Sequence, residues 1–134
     1  MSTQTSSEYL LLFRGTDWNQ NLSSEELHRI MEKWNAWFDR FAEQGKIIGA
    51  EPLEPDGKIV SGKNGQKVSD GPFAESKEAI GGYFRLHVNS PDEALQIAKE
   101  CPILEYGLTV EVRPVANMCP TFRSIVEPLA HAKV

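Results

Sequence analysis

Val68-Ser69-Asp70-Gly71-Pro72-Phe73-Ala74-Glu75-Ser76-Lys77-Glu78-Ala79-Ile80-Gly81-Gly82-Tyr83-Phe84-Arg85-Leu86 is the stretch whose reading decides the fold. Its Asp-Gly-Pro segment has the chemistry of a stiff turn. An Asp side chain bonds the backbone ahead of it, Gly accepts positive φ, and Pro fixes φ at about −65°. Pro72 also biases Gly71 away from the helical region. Beyond it, Ile80, Gly82, Phe84, Leu86 and Val88 alternate with Gly81, Tyr83, Arg85 and His87. A two-residue period is that of a strand with two chemically different faces. The adjacent Gly81 and Gly82 predict a bulge or a close backbone approach at its start.

Upstream, residues 8–14 read as a strand with Tyr9, Leu11 and Phe13 on one face and Leu10 and Leu12 on the other. Apolar character on both faces predicts a central strand. Residues 15–21 form a loop whose Trp18 is placed to cover a pocket mouth or a partner. A helix then opens at Ser23, with Glu26 three residues on as capping-box partner, and Gly45 is its stop. Leu27, Ile30, Met31, Trp34, Trp37, Phe38 and Phe41 recur at three- and four-residue steps, a stripe assigned to core packing against a sheet. Residues 46–53 read as a second strand, with Ile47 and Gly49 facing one way and Ile48 and Ala50 the other. Asn64-Gly65 marks a hairpin tip between residues 58–60 and 66–68.

Downstream, Ser90-Pro91-Asp92-Glu93 opens a second helix with Ala94, Leu95, Ile97 and Ala98 as its buried side. Leu108 to Val115 is the last strand, with Leu108, Val110 and Val112 toward the helices and Thr109, Glu111 and Arg113 away from them. The order is β-α-β-(hairpin)-β-α-β, the split-βαβ pattern of an α+β, ferredoxin-like βαββαβ subunit with an antiparallel sheet and an inserted hairpin. The expected division is a disordered lead-in over 1–7, one domain over 8–116, and a tail over 117–134 that carries a short docking helix.

With 134 residues, 40% hydrophobic and 25% charged, the chain has the size and composition of one globular domain. A net charge of −5 lacks the basic footprint of nucleic-acid binding. No apolar run approaches the roughly 20 residues of a membrane span, and the polar N-terminus is unlike a secretory signal. Cys101 and Cys119 lack metal-ligand or disulfide spacing and read as free thiols, so a cytoplasmic location is expected. His28, His87 and His131 are scattered without ligand spacing, and neither a metal nor another cofactor is expected.

The central stretch closely resembles the Asp-Gly-Pro-Phe (DGPF) branch of the YCII-related proteins. The match covers Asp70 to Phe73, the following Ala74 to Glu78, and Gly81 to Phe84. It continues through Val110 to Pro114 and extends from about Tyr9 to Val115. The resemblance implies a subunit that pairs through its sheet into a dimeric α/β barrel, a homodimer. The family is largely without assigned chemistry. In YCII-type relatives with proposed acid–base activity, a histidine lies on the first helix and an aspartate near the end of the second. Alignment on Gln44-Gly45 places Trp34 at the first position and Glu100 or Cys101 at the second, and His28 is out of register. That chemistry is not transferred.

If the sheet face away from the helices lines a cavity, Tyr83, Arg85, His87, Thr109, Glu111 and Arg113 supply its polar groups. In this reading Tyr9, Leu11 and Phe13 form its apolar walls. Tyr83, Arg85 and Arg113 are the candidate ligand-binding residues, the arginines suiting a carboxylate or enolate. His87, Asp70 and Glu111 are the candidate catalytic groups: a proton carrier near neutral pH, a turn-held carboxylate, and a base or a partner for the arginines. Against this stands pairing of the inward charges with one another, turn capping by Asp70, and a solvent-exposed His87. Phe73 reads as an anchor that docks the turn. Two functions remain open. One is a homodimer that binds a small anionic or enolisable molecule between its sheets, with weak acid–base catalysis. The other is a non-catalytic regulatory module with a protein partner, since relatives are sometimes encoded beside or fused to alternative sigma factors. Neither requires direct contact with nucleic acid or membrane.

Overall fold

The structure, a computed structural model, describes residues 7–72 and 78–132, and the side chains among them up to Val126. The first strand, β1 (Glu8–Arg14), buries Tyr9, Leu11 and Phe13, and Leu11 is wholly excluded from solvent. It is central in a four-stranded antiparallel sheet ordered β2 (Ile47–Pro52), β5 (Ile80–His87), β1, β6 (Thr109–Pro114). That order, with a helix following the first and third of these strands in chain order, is the ferredoxin-like arrangement expected from the pattern. Between β2 and β5 the chain makes a separate hairpin, β3 (Gly57–Ser61) and β4 (Lys67–Gly71). At its tip Asn64 and Gly65 adopt positive φ of 60° and 66°, the backbone that Asn-Gly favours. The expected bulge is present too. Phe13 pairs with Gly82 and Arg14 with Ile80, so Gly81 is the extra residue.

The long helix α1 (Ser24–Glu43) begins with the capping box expected of its sequence. The Glu26 N–H donates to Ser23 Oγ at 3.1 Å, and the Ser23 N–H donates to Glu26 Oε1 at 3.0 Å. Gly45, at φ +75°, follows its end. Ile30, Trp37 and Phe41 enter the core, and the Trp37 indole N–H donates to the Ile97 carbonyl at 3.1 Å. This buried bond joins α1 to the second helix, α2 (Pro91–Lys99), and gives the indole the partner a buried Trp requires. A third helix, α3 (Pro120–Ala132), follows β6 and is longer than the short segment over 121–126 that the sequence marks. Among the described residues no helix is long and apolar enough to cross a membrane.

Several faces differ from the sequence reading. Tyr9, Leu11 and Phe13 do not wall the open face, because Leu11 stands opposite Phe84 and Val112, both on the helix-covered side. Leu10 and Leu12 take the open face instead. In β2 a register irregularity between Ile47 and Gly49 leaves Ile47 opposite Leu86 and Ala50 opposite Phe84. Ile47 and Ala50 therefore share the helix side, whereas strict alternation separated them. Leu95 is exposed, as only Ala94, Ile97 and Ala98 of α2 turn to the core. Glu93 does not close a box on Ser90, since its carboxylate accepts from the Asn89 N–H at 2.8 Å and pairs with Lys46 at 2.6 Å. Asp70 and Gly71 end β4 and Pro72 follows directly, so the segment closes a strand rather than forming a free turn. Phe73 and Ala74 to Lys77 lie outside the described residues, as do residues 1–6.

These contacts rank the sites by their effect on stability. Leu11→Ala should destabilise the chain by about 2–5 kcal/mol, because both transfer energy and a cavity are involved. Ser23→Ala should cost about 1 kcal/mol through the lost cap. Urea unfolding with unchanged slope checks both, and a cost for Leu11→Ala below that of Ser23→Ala would contradict this account of the core.

Candidate functional site

Phe84 is surrounded by rings. Its centroid lies 4.8 Å from Phe13, 5.4 Å from Trp34, 5.3 Å from Trp37 and 5.4 Å from Phe38. Two residues earlier on the same face stands Gly82, buried and without a side chain. The strands approach so closely there that a Cβ on Gly82 would come within 2.9 Å of the Glu51 carbonyl oxygen. A sheet face with bulky rings on one side and a bare backbone beside them leaves a hollow that α1 bridges. The result is a pocket of about 530 Å³, within the range of small-ligand sites.

Met31, Trp34, Asn35 and Phe38 of α1 form one wall of this pocket, and Phe13, Gly82 and Phe84 of the sheet form another. Thr16 and Trp18, from the loop after β1, line it as well, as do residues 50–55, the end of β2 and the chain just beyond it. Pro72 and residues 79–84 bring both ends of the deciding stretch to the same place. Trp34 and Phe38, which the helical period assigns to core, are only partly buried because they sit between core and pocket. The signal for the pocket is legible afterwards: a broad stripe of large rings facing a strand whose opposing residue is glycine. Trp18 does line a pocket, as its loop position suggested.

The open face of the sheet carries a different chemistry. Register places Leu10 between Arg85 and Arg113, and Leu12 between Tyr83 and Glu111. The Arg85 guanidinium donates twice to Glu8 Oε1, at 2.5 and 3.1 Å. Arg113 reaches Glu111 at 3.2 Å, and Arg14 lies 3.5 Å from Glu111 and 2.5 Å from Glu78. These side chains are part-exposed, so their pairing orders the surface more than it stabilises the fold. The structure brings Tyr83, Arg85, Glu111 and Arg113 onto one face but ties them to carboxylates and to one another.

His87 is exposed at the far end of β5, opposite Glu8. Asp70 faces Lys58 across the hairpin and its carboxylate pairs with that ammonium. A cation on the neighbouring strand thus supplies the partner that turn capping was expected to supply. Tyr83 alone among these six candidates also lines the pocket.

Acid–base groups are sparse. Tyr83 Oη donates to Glu51 Oε1 at 2.6 Å, and this bond to the carboxylate raises the phenol above the ordinary tyrosine range. Cys101 is buried and its thiol is pushed up to about 11 by desolvation, which leaves it a poor nucleophile at neutral pH. Cys119 is exposed, and backbone N–H groups of Phe122 and Thr121 lower its pKa. Glu100 pairs with Arg40 at 2.6 Å, while Trp34 occupies the pocket wall. No group of His, Cys, Asp and Glu that could hold a metal ion occurs among the described residues.

The profile of the YCII-related domain matches residues 8–118. An uncharacterised protein of Rhizobium meliloti (strain 1021) is 33% identical over 102 residues, covering 73% of this chain and 82% of that protein.

The Tyr83–Glu51 bond has a readable consequence. A raised phenol pKa means that the neutral form is favoured in the folded chain. That stabilisation is complete below the unfolded tyrosine value of about 10 and is lost as pH rises through the folded value. Ultraviolet titration should show a late-ionising phase that belongs to Tyr83. Tyr83→Phe should remove that phase, and Glu51→Gln should return it toward ordinary alkaline pH. A late phase that survives in Tyr83→Phe would show that another tyrosine is responsible.

Proposed function

The chain belongs to the YCII-related domain family, and from that premise together with its geometry we propose that it binds a small, mainly apolar molecule in the pocket beneath α1. The observation that carries this reading is the hollow of about 530 Å³ between the α1 rings and Gly82. Apolar walls with a few polar groups at the rim are the usual make-up of a small-ligand site. The ligand is not an anion held by Arg85 and Arg113, because those guanidiniums lie outside this lining and already face carboxylates. The function is binding rather than acid–base catalysis. The titratable groups of the described lining are Glu51, Glu54 and Tyr83, two of which are bonded to each other.

Nuclear magnetic resonance with a library of aromatic and alicyclic fragments tests this directly. Binding should shift the amides of Thr16, Trp18, Gly81 and Gly82 and leave those of Arg85 and Arg113 in place. Shifts centred on Arg85 and Arg113, produced by small carboxylates, would overturn the pocket reading in favour of the open face.

The open face has its own role in this proposal, as the surface through which two copies pair. Leu10 and Leu12 provide an apolar centre, and the flanking charges are arranged to fix register. Sedimentation equilibrium should give a dimer for the native chain and a monomer for Leu12→Glu. A native chain that stays monomeric at high concentration would remove this part of the proposal.

A further inference from the structure

The hairpin of β3 and β4 stands apart from the four-stranded sheet as a two-stranded sheet of its own. Two strands alone are marginal in water unless one face packs on something. Apart from Gly71, every residue of the ladder is exposed. Its two faces differ. On one, Ile59 folds back toward the root of the hairpin, where its end fills the space a Cβ on Gly71 would need. On the other, Val60 stands opposite Val68, beside the Lys58–Asp70 pair. These valines are 64% and 62% exposed, the most open of the large apolar side chains among the described residues. We infer that the valine face packs on the same face of a second copy of this chain, the two hairpins lying antiparallel about a twofold axis.

Charge decides both the occupant and the direction. Lys58, Lys63 and Lys67 against Asp70 make the hairpin a basic arm on a chain of charge −5. Lys58 and Asp70 pair with each other. What remains is Lys63 and Lys67 toward the tip, with Glu54 and Asp56 at the foot, and all four are exposed. Five residues of strand at about 3.3 Å each hold tip and foot roughly 16 Å apart, beyond the screening length of about 8 Å at physiological salt. Within one copy the two ends therefore attract each other little. Antiparallel stacking sets the lysines of each copy beside the carboxylates of the other, and twofold symmetry makes that contact twice. Parallel stacking would set like charges together. Packed sheet on sheet, the four valines form an apolar centre rimmed by complementary charge, the make-up of a small interface. The inference uses neither the pocket nor the pairing of the open faces.

Isotope-filtered Overhauser spectra of a mixture of labelled and unlabelled full-length chains, at about 1 mM where weak contacts are populated, test this. Val60 and Val68 methyls of one copy should show contacts to those of the other. Lys63→Glu with Lys67→Glu should weaken that association roughly tenfold in a dilution series, and Glu54→Lys with Asp56→Lys should do the same. All four substitutions together should restore it to within about threefold, because an arm with both ends reversed again complements itself. An equimolar mixture of the two reversed proteins should form a mixed pair more readily than either pairs with itself. A chain that dimerises without contacts between these valines would leave the open-face pairing standing and overturn this one. Reversals without effect, or a fourfold variant as weak as either reversal, would overturn it as well. Valine methyls with no contacts between copies that nevertheless shift on addition of anionic phospholipid vesicles would make the arm a membrane contact, and self-pairing would fall.

Discussion

The packing of Phe84 against four other rings is the contact on which this structure turns. Phe13 comes from the neighbouring strand, and Trp34, Trp37 and Phe38 come from one face of α1. Edge-on and tilted ring pairs of this kind fix relative orientation as well as burying area. The cluster sets the height of α1 above the sheet. Trp37 then carries the constraint onward through its bond to the Ile97 carbonyl, so both helices are registered to one strand. With α1 held at that height, a hollow stays open between its rings and the sheet, and Gly82, which the close approach of the β2 backbone requires, lines it.

Much of this was legible in the sequence, and for identifiable reasons. Ser23 and Glu26 announce a helix start because side-chain oxygens and orphan N–H groups must meet. Asn64-Gly65 announces a hairpin tip because positive φ is costly for most residues. Gly81 announces a bulge. In each case the information is local, and the physics acts over three or four residues. The strand order follows from the same elements, since short antiparallel connections and two crossover helices leave few alternatives.

What stayed hidden was phase and partner. β1 is apolar on both faces, so alternation shows that it is a strand without saying which face meets the helices. The cross-strand neighbours Phe84 and Val112 decide that. A bulge in β2 reverses the sides of Gly49 and Ala50 relative to strict alternation, and nothing in Ile47-Ile48-Gly49 marks it. Asp70 reads as a turn residue by its neighbours Gly71 and Pro72, yet its partner Lys58 is twelve residues away on the opposite strand. Trp34 and Phe38 satisfy the helical period whether they meet core or cavity. Which residues stand across from those rings distinguishes the outcomes, and that is set by tertiary placement.

The chain leaves the four-stranded sheet after Pro52 and re-enters it at Ile80; the hairpin of β3 and β4 lies between, and Pro55 before it and Pro72 after it both line the pocket. Its ladder runs from Gly57 opposite Gly71 outward to Ser61 opposite Lys67, away from those two feet. The pocket is therefore shaped by where the excursion is rooted and not by how far it extends. A change of length at the tip would leave the pocket lining in place, whereas a change beside Pro55 or Pro72 would alter it.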